Sequence, residues 1–179
     1  QFKEKVREIL EHHTYSHNQE LEQLAETADH LISNILEEEE VIEQVYDIRE
    51  RSSDLYEHSI SICTLAVLTA LKLKMDRQMV HDIGVACLLH DLGLRYLTIK
   101  YENQPIEELS EDARNEFMKH PVYAYSALRN EKWISDDAKN MILYHHEQMD
   151  GSGYPLHARM LTLESRVLNL CDAFDEMIC

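Results

Sequence analysis

The sequence predicts an all-α fold, a helical bundle, on three observations. Only four glycines and three prolines occur in 179 residues, and none of them falls in the first eighty, so nothing there breaks a long helix. Apolar residues recur at three- and four-residue intervals. No alternation of apolar and polar residues persists long enough to mark a strand.

The elements follow in order. Leu21, Leu24, Ala28, Leu31 and Ile35 keep a 3-4-3-4 spacing, resumed by Ile42 and Val45. That short heptad seam suits a helix packed on its own domain or one that forms a homodimer. Glu37 to Glu40 reads as a solvated helix boundary. A soft division falls near Arg51-Ser52-Ser53-Asp54, where a serine or aspartate can cap the next helix. Residues 1–51 therefore read as an N-terminal helical segment and 52–179 as the main domain. Further helices are expected from Asp54 to Lys74, from Asp76 to His90, and from Ser110 toward His120. Another runs from Pro121 to Asn130, with proline suited to its first turn. One is capped by Asp136 or Asp137 and runs to His145, and a last spans Glu164 to Met177.

Composition excludes several functions. Thirty-four acidic against seventeen basic residues give a formal charge of −17, which argues against broad binding to polymeric nucleic acid or an anionic membrane. The longest apolar stretch, Ile60 to Leu73, is too short and too interrupted to cross a bilayer. With no visible signal peptide, a cytoplasmic location is expected. Cys63, Cys87 and Cys171 sit among apolar residues, and no CxxC occurs, which suits buried thiols in a reducing compartment.

The chemistry concentrates in His145-His146-Glu147-Gln148-Met149-Asp150-Gly151-Ser152-Gly153-Tyr154-Pro155. Two adjacent imidazoles point about 100° apart on a helix, so one metal can take both only if the helix ends there. Upstream are two His-Asp pairs. His81-Asp82 and His90-Asp91 are nine residues apart, on opposite faces of one helix. His90 follows Leu88-Leu89 and precedes Gly93, an expected helix end, so it is the ligand candidate; His81 follows a polar turn and reads as surface. His58 shares a helix face with Asp54. Asp172 lies between Cys171 and Ala173, where a charge needs a partner or a metal. His120 precedes Pro121, which pushes it toward extended geometry at a helix start. His12, His13, His17, His30 and His157 have no ligand-like context and read as exposed. Imidazole and carboxylate donors suit iron or manganese, with zinc or nickel also open, better than magnesium or calcium.

From Asp54 onward these anchors resemble the HD-GYP subfamily of HD-domain metal-dependent phosphohydrolases. They are Tyr56-Glu57-His58-Ser59, Leu89-His90-Asp91-Leu92-Gly93, Lys119-His120-Pro121, the His145 to Pro155 block and Cys171-Asp172-Ala173-Phe174-Asp175. The resemblance implies an HD-domain helical bundle that hydrolyses cyclic di-GMP, a bacterial second messenger, at two divalent metals. It implies that His58, His90, Asp91 and Asp172 bind one metal, with Asp91 bridging, and that His120, His145 and His146 bind the other. A metal-bridging hydroxide would attack phosphorus, giving linear pGpG and then GMP. Asp54 stands where some members hold a third metal through a glutamate, a departure that weakens the case for a third ion. Asp150, Gly151, Gly153, Tyr154 and Pro155 would shape the substrate pocket.

The chain departs from the family at Leu94, where a phosphate-contacting lysine is usual; Arg95 and Lys100 are the nearby substitutes. Segment Arg95 to Asn103 also fails to match. The family's basic substrate contacts after Asp172 find no counterpart before Cys179. Three readings follow. The first is an active cyclic di-GMP phosphodiesterase. The second is a weakened domain that senses the dinucleotide or docks on other signalling domains. The third is an HD phosphohydrolase with another nucleotide substrate.

Overall fold

The junction between Arg51 and Ser53 shows how local chemistry sets the elements. The computed structural model describes residues 2–13, 19–101 and 105–178. His17, Asn103 and Cys179 lie outside the described residues, as do the side chains of His12 and His13. Helix α3 (Glu39–Arg51) ends at Ser52, whose extended backbone also opens α4 (Ser53–Lys72). The Ser52 hydroxyl accepts from Leu55 N, a cap worth about 1 kcal/mol. Asp76 caps α5 (Arg77–Leu89) through Met79 N in the same way.

Helices α1 (Phe2–His13) and α2 (Gln19–Ile35) precede this pair. A 3₁₀ segment, His90–Tyr96, follows α5, and a shorter one spans Ile106–Glu108. Then come α6 (Glu111–Phe117), α7 (His120–Leu128), α8 (Asp136–Tyr144) and α9 (Leu163–Ile178). No strand occurs among the described residues. The all-α expectation holds.

Helices α4 and α5 form the centre. Ile60, Ile62, Cys63, Val67, Ile83, Cys87, Leu88 and Leu89 are fully buried between them and their neighbours. Helices α2, α3 and α9 pack on α4, α8 packs on α5, and α7 lies against the first 3₁₀ segment. From the N-terminal heptad seam, Ala28 and Ile35 are buried with Ile32 in the same core as α4 and α5, while Leu21 and Leu24 stay half-exposed. Burial of Cys63, Cys87 and Cys171 matches the expectation, and it pushes all three thiol pKa values up.

Four local readings need correction. Ser135, not Asp136 or Asp137, caps α8 by accepting from Ala138 N; the two acids occupy the first turn, where the helix dipole favours them. His120 is itself the first residue of α7 rather than an extended residue before it. Proline is tolerated that early because its missing N–H has no intrahelical acceptor. Gly93 does not end α5, which stops at Leu89. A Cβ at Gly93 would lie 1.9 Å from the His120 carbonyl oxygen, so glycine lets α7 touch the 3₁₀ segment backbone to backbone. His81 is half-buried rather than free on the surface: its ring bonds to Glu38 and Asp82, tying the α2–α3 turn to α5. His30 and His157 are exposed, as expected.

Candidate metal centre

Each donor is placed by a helix end or a helix face. His58 comes from α4, Asp172 from α9, and His90 and Asp91 from the 3₁₀ segment after α5. His120 opens α7, and His145 and His146 follow the end of α8 at Tyr144. That ending is what lets two adjacent imidazoles turn toward one point. Asn169 on α9 secures it, donating to the carbonyls of Tyr144 and Glu147 at 3.1 and 3.0 Å.

The seven residues converge. His58, His90 and Asp172 form one group and Asp91, His120, His145 and His146 a second; within each, ligand atoms lie no more than 4.8 Å apart. Asp91 stands between them. Its Oδ2 is 3.3 Å from His90 Nε2, and its Oδ1 is 3.3 Å from His120 Nε2 and 3.7 Å from His145 Nε2. Asp172 Oδ1 is 3.2 Å from His58 Nε2 and 3.8 Å from His90 Nε2.

The hydrogen bonds behind the rings set their tautomers. Nδ1–H of His90, His120 and His145 donates to the carbonyls of Cys87, Phe117 and Ile142, each three residues earlier, at 2.8, 2.8 and 2.6 Å. Nε2 of each ring therefore turns a lone pair inward. His120 Nε2 and His145 Nε2 then face each other at 3.1 Å. Two lone pairs that close repel unless a cation sits beside them. His90 Nε2 is buried and has no hydrogen-bond partner among the described residues, which is costly for a polar atom with nothing to bind. His58 donates Nδ1–H to Asp175 Oδ2 at 2.8 Å, and Ser61 bonds the other Asp175 oxygen, a carboxylate–histidine relay of the kind that backs metal ligands. These observations fit divalent cations held at both groups.

Charge in the site is strongly coupled. Burial would raise the Asp91 pKa, but His90, His120 and His145 hold it far below the usual carboxylate range. Burial likewise opposes charging of His90, yet Asp91 and Asp172 outweigh it and raise that imidazole to about 9. His145 and His146 go the other way, kept neutral chiefly by burial. A cation arriving here meets two ionised carboxylates and the neutral rings of His145 and His146, and it must displace a proton from His90.

Of the predicted pocket loop, Tyr154 alone reaches the centre. Its ring stacks on His146 with centroids 4.6 Å apart and planes 27° apart. Asp150 is exposed and accepts from Ser152 N at 2.8 Å, closing a turn, and Gly151 supplies a φ of 82°. Gly153 packs its backbone on His146 and Gln148 so tightly that a Cβ would lie 2.4 Å from either. Pro155 follows a cis peptide bond. Asp54 is exposed at the rim of the adjoining cavity and belongs to neither donor group.

Two carboxylates quoted among the motifs were given no role from the sequence. Asp175 is buried behind His58. Glu147, also buried, accepts from Leu156 N and Ala158 N and pins the loop after His146. An acid within an apolar helix, as Asp175 is, carries the same signal that singled out Asp172. Glu147 had only its neighbours to mark it.

A cavity of about 570 Å³ opens beside His58 and Asp91. Leu94, 5% exposed, lines it. Arg95 lines the same cavity, bonded to Asp47 at 2.8 Å. Lys100 is exposed.

Comparison with known proteins agrees with this geometry. The family model of the HD domain matches residues 47–179. The cyclic di-GMP phosphodiesterase PA4108 of Pseudomonas aeruginosa is 30% identical over 132 residues, 72% of this chain and 32% of that protein. The cyclic di-GMP phosphodiesterase response regulator RpfG of Xanthomonas campestris is 33% identical over 118 residues, 64% of this chain and 31% of its own. The 3'3'-cGAMP-specific phosphodiesterase 1 of Vibrio cholerae is 25% identical over 132 residues, 71% of this chain and 30% of its own. The chain thus spans about a third of the length of these relatives. Among solved structures, Bd1817, an HDG"Y"P protein from Bdellovibrio bacteriovorus, superposes with a TM-score of 0.65 at 19% identity, covering 99% of this chain and 57% of that one. That likeness bears on the fold.

Proposed function

Because this chain belongs to the HD-domain family of metal-dependent phosphohydrolases and is related to the HD-GYP-type cyclic di-GMP phosphodiesterases, we propose that it hydrolyses cyclic di-GMP to linear pGpG and onward to GMP. The observation that carries the reading is the pair of inward-facing donor groups with Asp91 standing between them beside a cavity. His58, His90, Asp91 and Asp172 would hold one ion, and His120, His145 and His146, together with Asp91, the other. Two such ions, iron or manganese by donor type, supply Lewis acidity and make hydroxide available as nucleophile at neutral pH.

The chain's own residues do the rest. The Nδ1–H bonds of His90, His120 and His145 fix the rings before substrate arrives, so no reorganisation is needed during reaction. Asp175 holds His58 in register. Tyr154, stacked on His146, screens that ring from bulk water. Leu94 offers no proton and no charge to the departing ribose oxygen, so its protonation falls to water or another group.

That same leucine favours a second reading, a weakened domain that binds cyclic di-GMP and signals through other domains. Loss of one charged transition-state contact is worth about 10²–10³-fold in rate. A third reading, another cyclic dinucleotide as substrate, has support in the 3'3'-cGAMP enzyme among the relatives.

One experiment separates them. The protein is loaded anaerobically with Fe(II) or Mn(II), incubated with cyclic di-GMP, and the products resolved by chromatography. Linear pGpG that accumulates with wild type and is absent with Asp91→Ala supports the enzyme. Tight binding without turnover supports the sensor. Turnover of 3'3'-cGAMP or another phosphoester with cyclic di-GMP untouched supports the third.

A further inference from the structure

The cavity beside the metal centre has a second set of polar groups that the proposed chemistry does not use. Asp47 and Arg51, one turn apart on α3, line it together with Arg95 from the 3₁₀ segment. Asp47 Oδ2 accepts from Arg95 Nη1 at 2.8 Å and from Arg51 Nε at 3.1 Å. Arg95 is held in place by further bonds: Nη1 also donates to Gln44 Oε1 at 3.2 Å, and Nη2 donates to the Tyr96 hydroxyl at 2.9 Å. Arg51 uses only Nε. Its two terminal nitrogens, and Asp47 Oδ1, have no partner among the described residues. A carboxylate acceptor and guanidinium donors thus stand side by side and unengaged.

Three occupants can be weighed. Water reaches these groups, with Arg51 55% and Asp47 34% exposed, but they share a wall with Leu94, Ile99 and Phe117, an apolar lining that water does not need. A second phosphate would meet Arg51 but also Asp47. Burial would raise the Asp47 pKa, yet the hydrogen bonds from Arg95 and Arg51 hold it below the ordinary carboxylate value, so the anion is present to repel phosphate. A nucleobase meets both demands. Its faces suit the apolar wall, and its edge carries donors and acceptors together.

We propose that Asp47 and Arg51, braced by Arg95, read the hydrogen-bonding edge of a guanine while the phosphodiester lies at the metal centre. Asp47 Oδ1 accepts from guanine N1–H or N2–H, and the free Arg51 nitrogens donate to O6. Adenine has a lone pair at N1 where guanine has a hydrogen, and it lacks the N2 donors. Asp47 and Arg51 form a base-selecting pair on an element, α3, that contributes nothing to the donor groups, braced by Arg95 from the segment that carries His90 and Asp91. This inference rests on the reading of cyclic di-GMP as substrate and deepens it.

The test uses the full chain loaded with Mn(II). Equilibrium binding of cyclic di-GMP and of cyclic di-AMP is measured by calorimetry for wild type, Asp47→Asn and Arg51→Gln. Wild type is also assayed on bis(p-nitrophenyl) phosphate, a diester without a base. Wild type is expected to favour cyclic di-GMP, and each variant to weaken that dinucleotide by about 10–100-fold while leaving cyclic di-AMP nearly unchanged. The ratio of the two affinities is internal to each protein, so a partly unfolded sample does not mimic the result. Arg51, with a side chain 55% exposed, is the variant least able to disturb folding. An unchanged ratio in both variants, with cyclic di-GMP still bound, overturns the base-selecting site and leaves the substrate reading standing. Cleavage of the base-free diester with no binding of cyclic di-GMP by wild type overturns both.

Discussion

Replacing Gly93 with alanine tests whether the metal centre depends on backbone contact between α7 and the 3₁₀ segment. The added Cβ would lie 1.9 Å from the His120 carbonyl oxygen and 2.8 Å from Ala124 N. Real Cβ contacts do not fall below 3.0 Å, so the two segments must separate by about 1.1 Å, the difference between 3.0 and 1.9. Neither contact atom belongs to a flexible side chain, so no rotamer change relieves the clash. Both segments carry donors, and the shift is a third of the 3.3 Å that separates Asp91 Oδ1 from His120 Nε2. Overpacking of this kind costs about 1–3 kcal/mol, and the backbone contact puts it at the upper end. For a chain of this size the melting temperature should fall by about 5–10 °C. A misplacement of about 1 Å in a catalytic constellation costs roughly 10²-fold in rate. Thermal melting, metal content after gel filtration and turnover of cyclic di-GMP read the three consequences. A Gly93→Ala protein that melts within about 1 °C of wild type and keeps its metal content would refute the reasoning.

Further outcomes are expected. Glu147→Ala strands the N–H groups of Leu156 and Ala158 and should cost about 2–4 kcal/mol, with new proteolytic cuts between residues 148 and 158; an uncut loop at unchanged melting temperature counts against the clamp. Leu94→Lys should raise turnover of cyclic di-GMP by up to about 10²–10³-fold; a flat rate would mean that the absent amine does not limit the reaction. His81 is held charged up to about 9, because hydrogen bonds with Asp82 and Glu38 outweigh its partial burial. Its folded pKa exceeds the unfolded value of about 6.5. The stability it adds, about 1–2 kcal/mol after solvent screening, is therefore complete below pH ~6.5 and lost as pH rises through ~9. The melting gap between wild type and His81→Gln should be open at pH 6 and closed near pH 10; a gap independent of pH would contradict this.

Much of this was legible in the chain. Scarce glycine and proline announced the helices, and Ser52 and Asp76 announced two of their starts. Asp172 was legible because a charge in apolar surroundings needs a partner, the set of seven followed from the family resemblance, and the structure brings His58, His90, Asp91, His120, His145, His146 and Asp172 together. What escaped reading depends on tertiary partners. Asp47 and Arg51 look like an ordinary i, i+4 surface pair until Arg95 arrives from forty-eight residues downstream. His81 looks exposed until Glu38 meets it from the α2–α3 turn. Gly93 resembles a helix terminator because sequence shows that a side chain is missing but not which backbone fills its space.

The first donor sits on α4 and the last on α9. An ion gripped by both would need α9 docked on α4, so a partly folded domain has no complete cage to load. Loading then acts as a seal on the finished bundle. At a free-ion concentration a hundredfold above the dissociation constant, it would add about 2.7 kcal/mol to the folded state. Scarcity of the ion would thus lower the durability of the whole domain along with its chemistry.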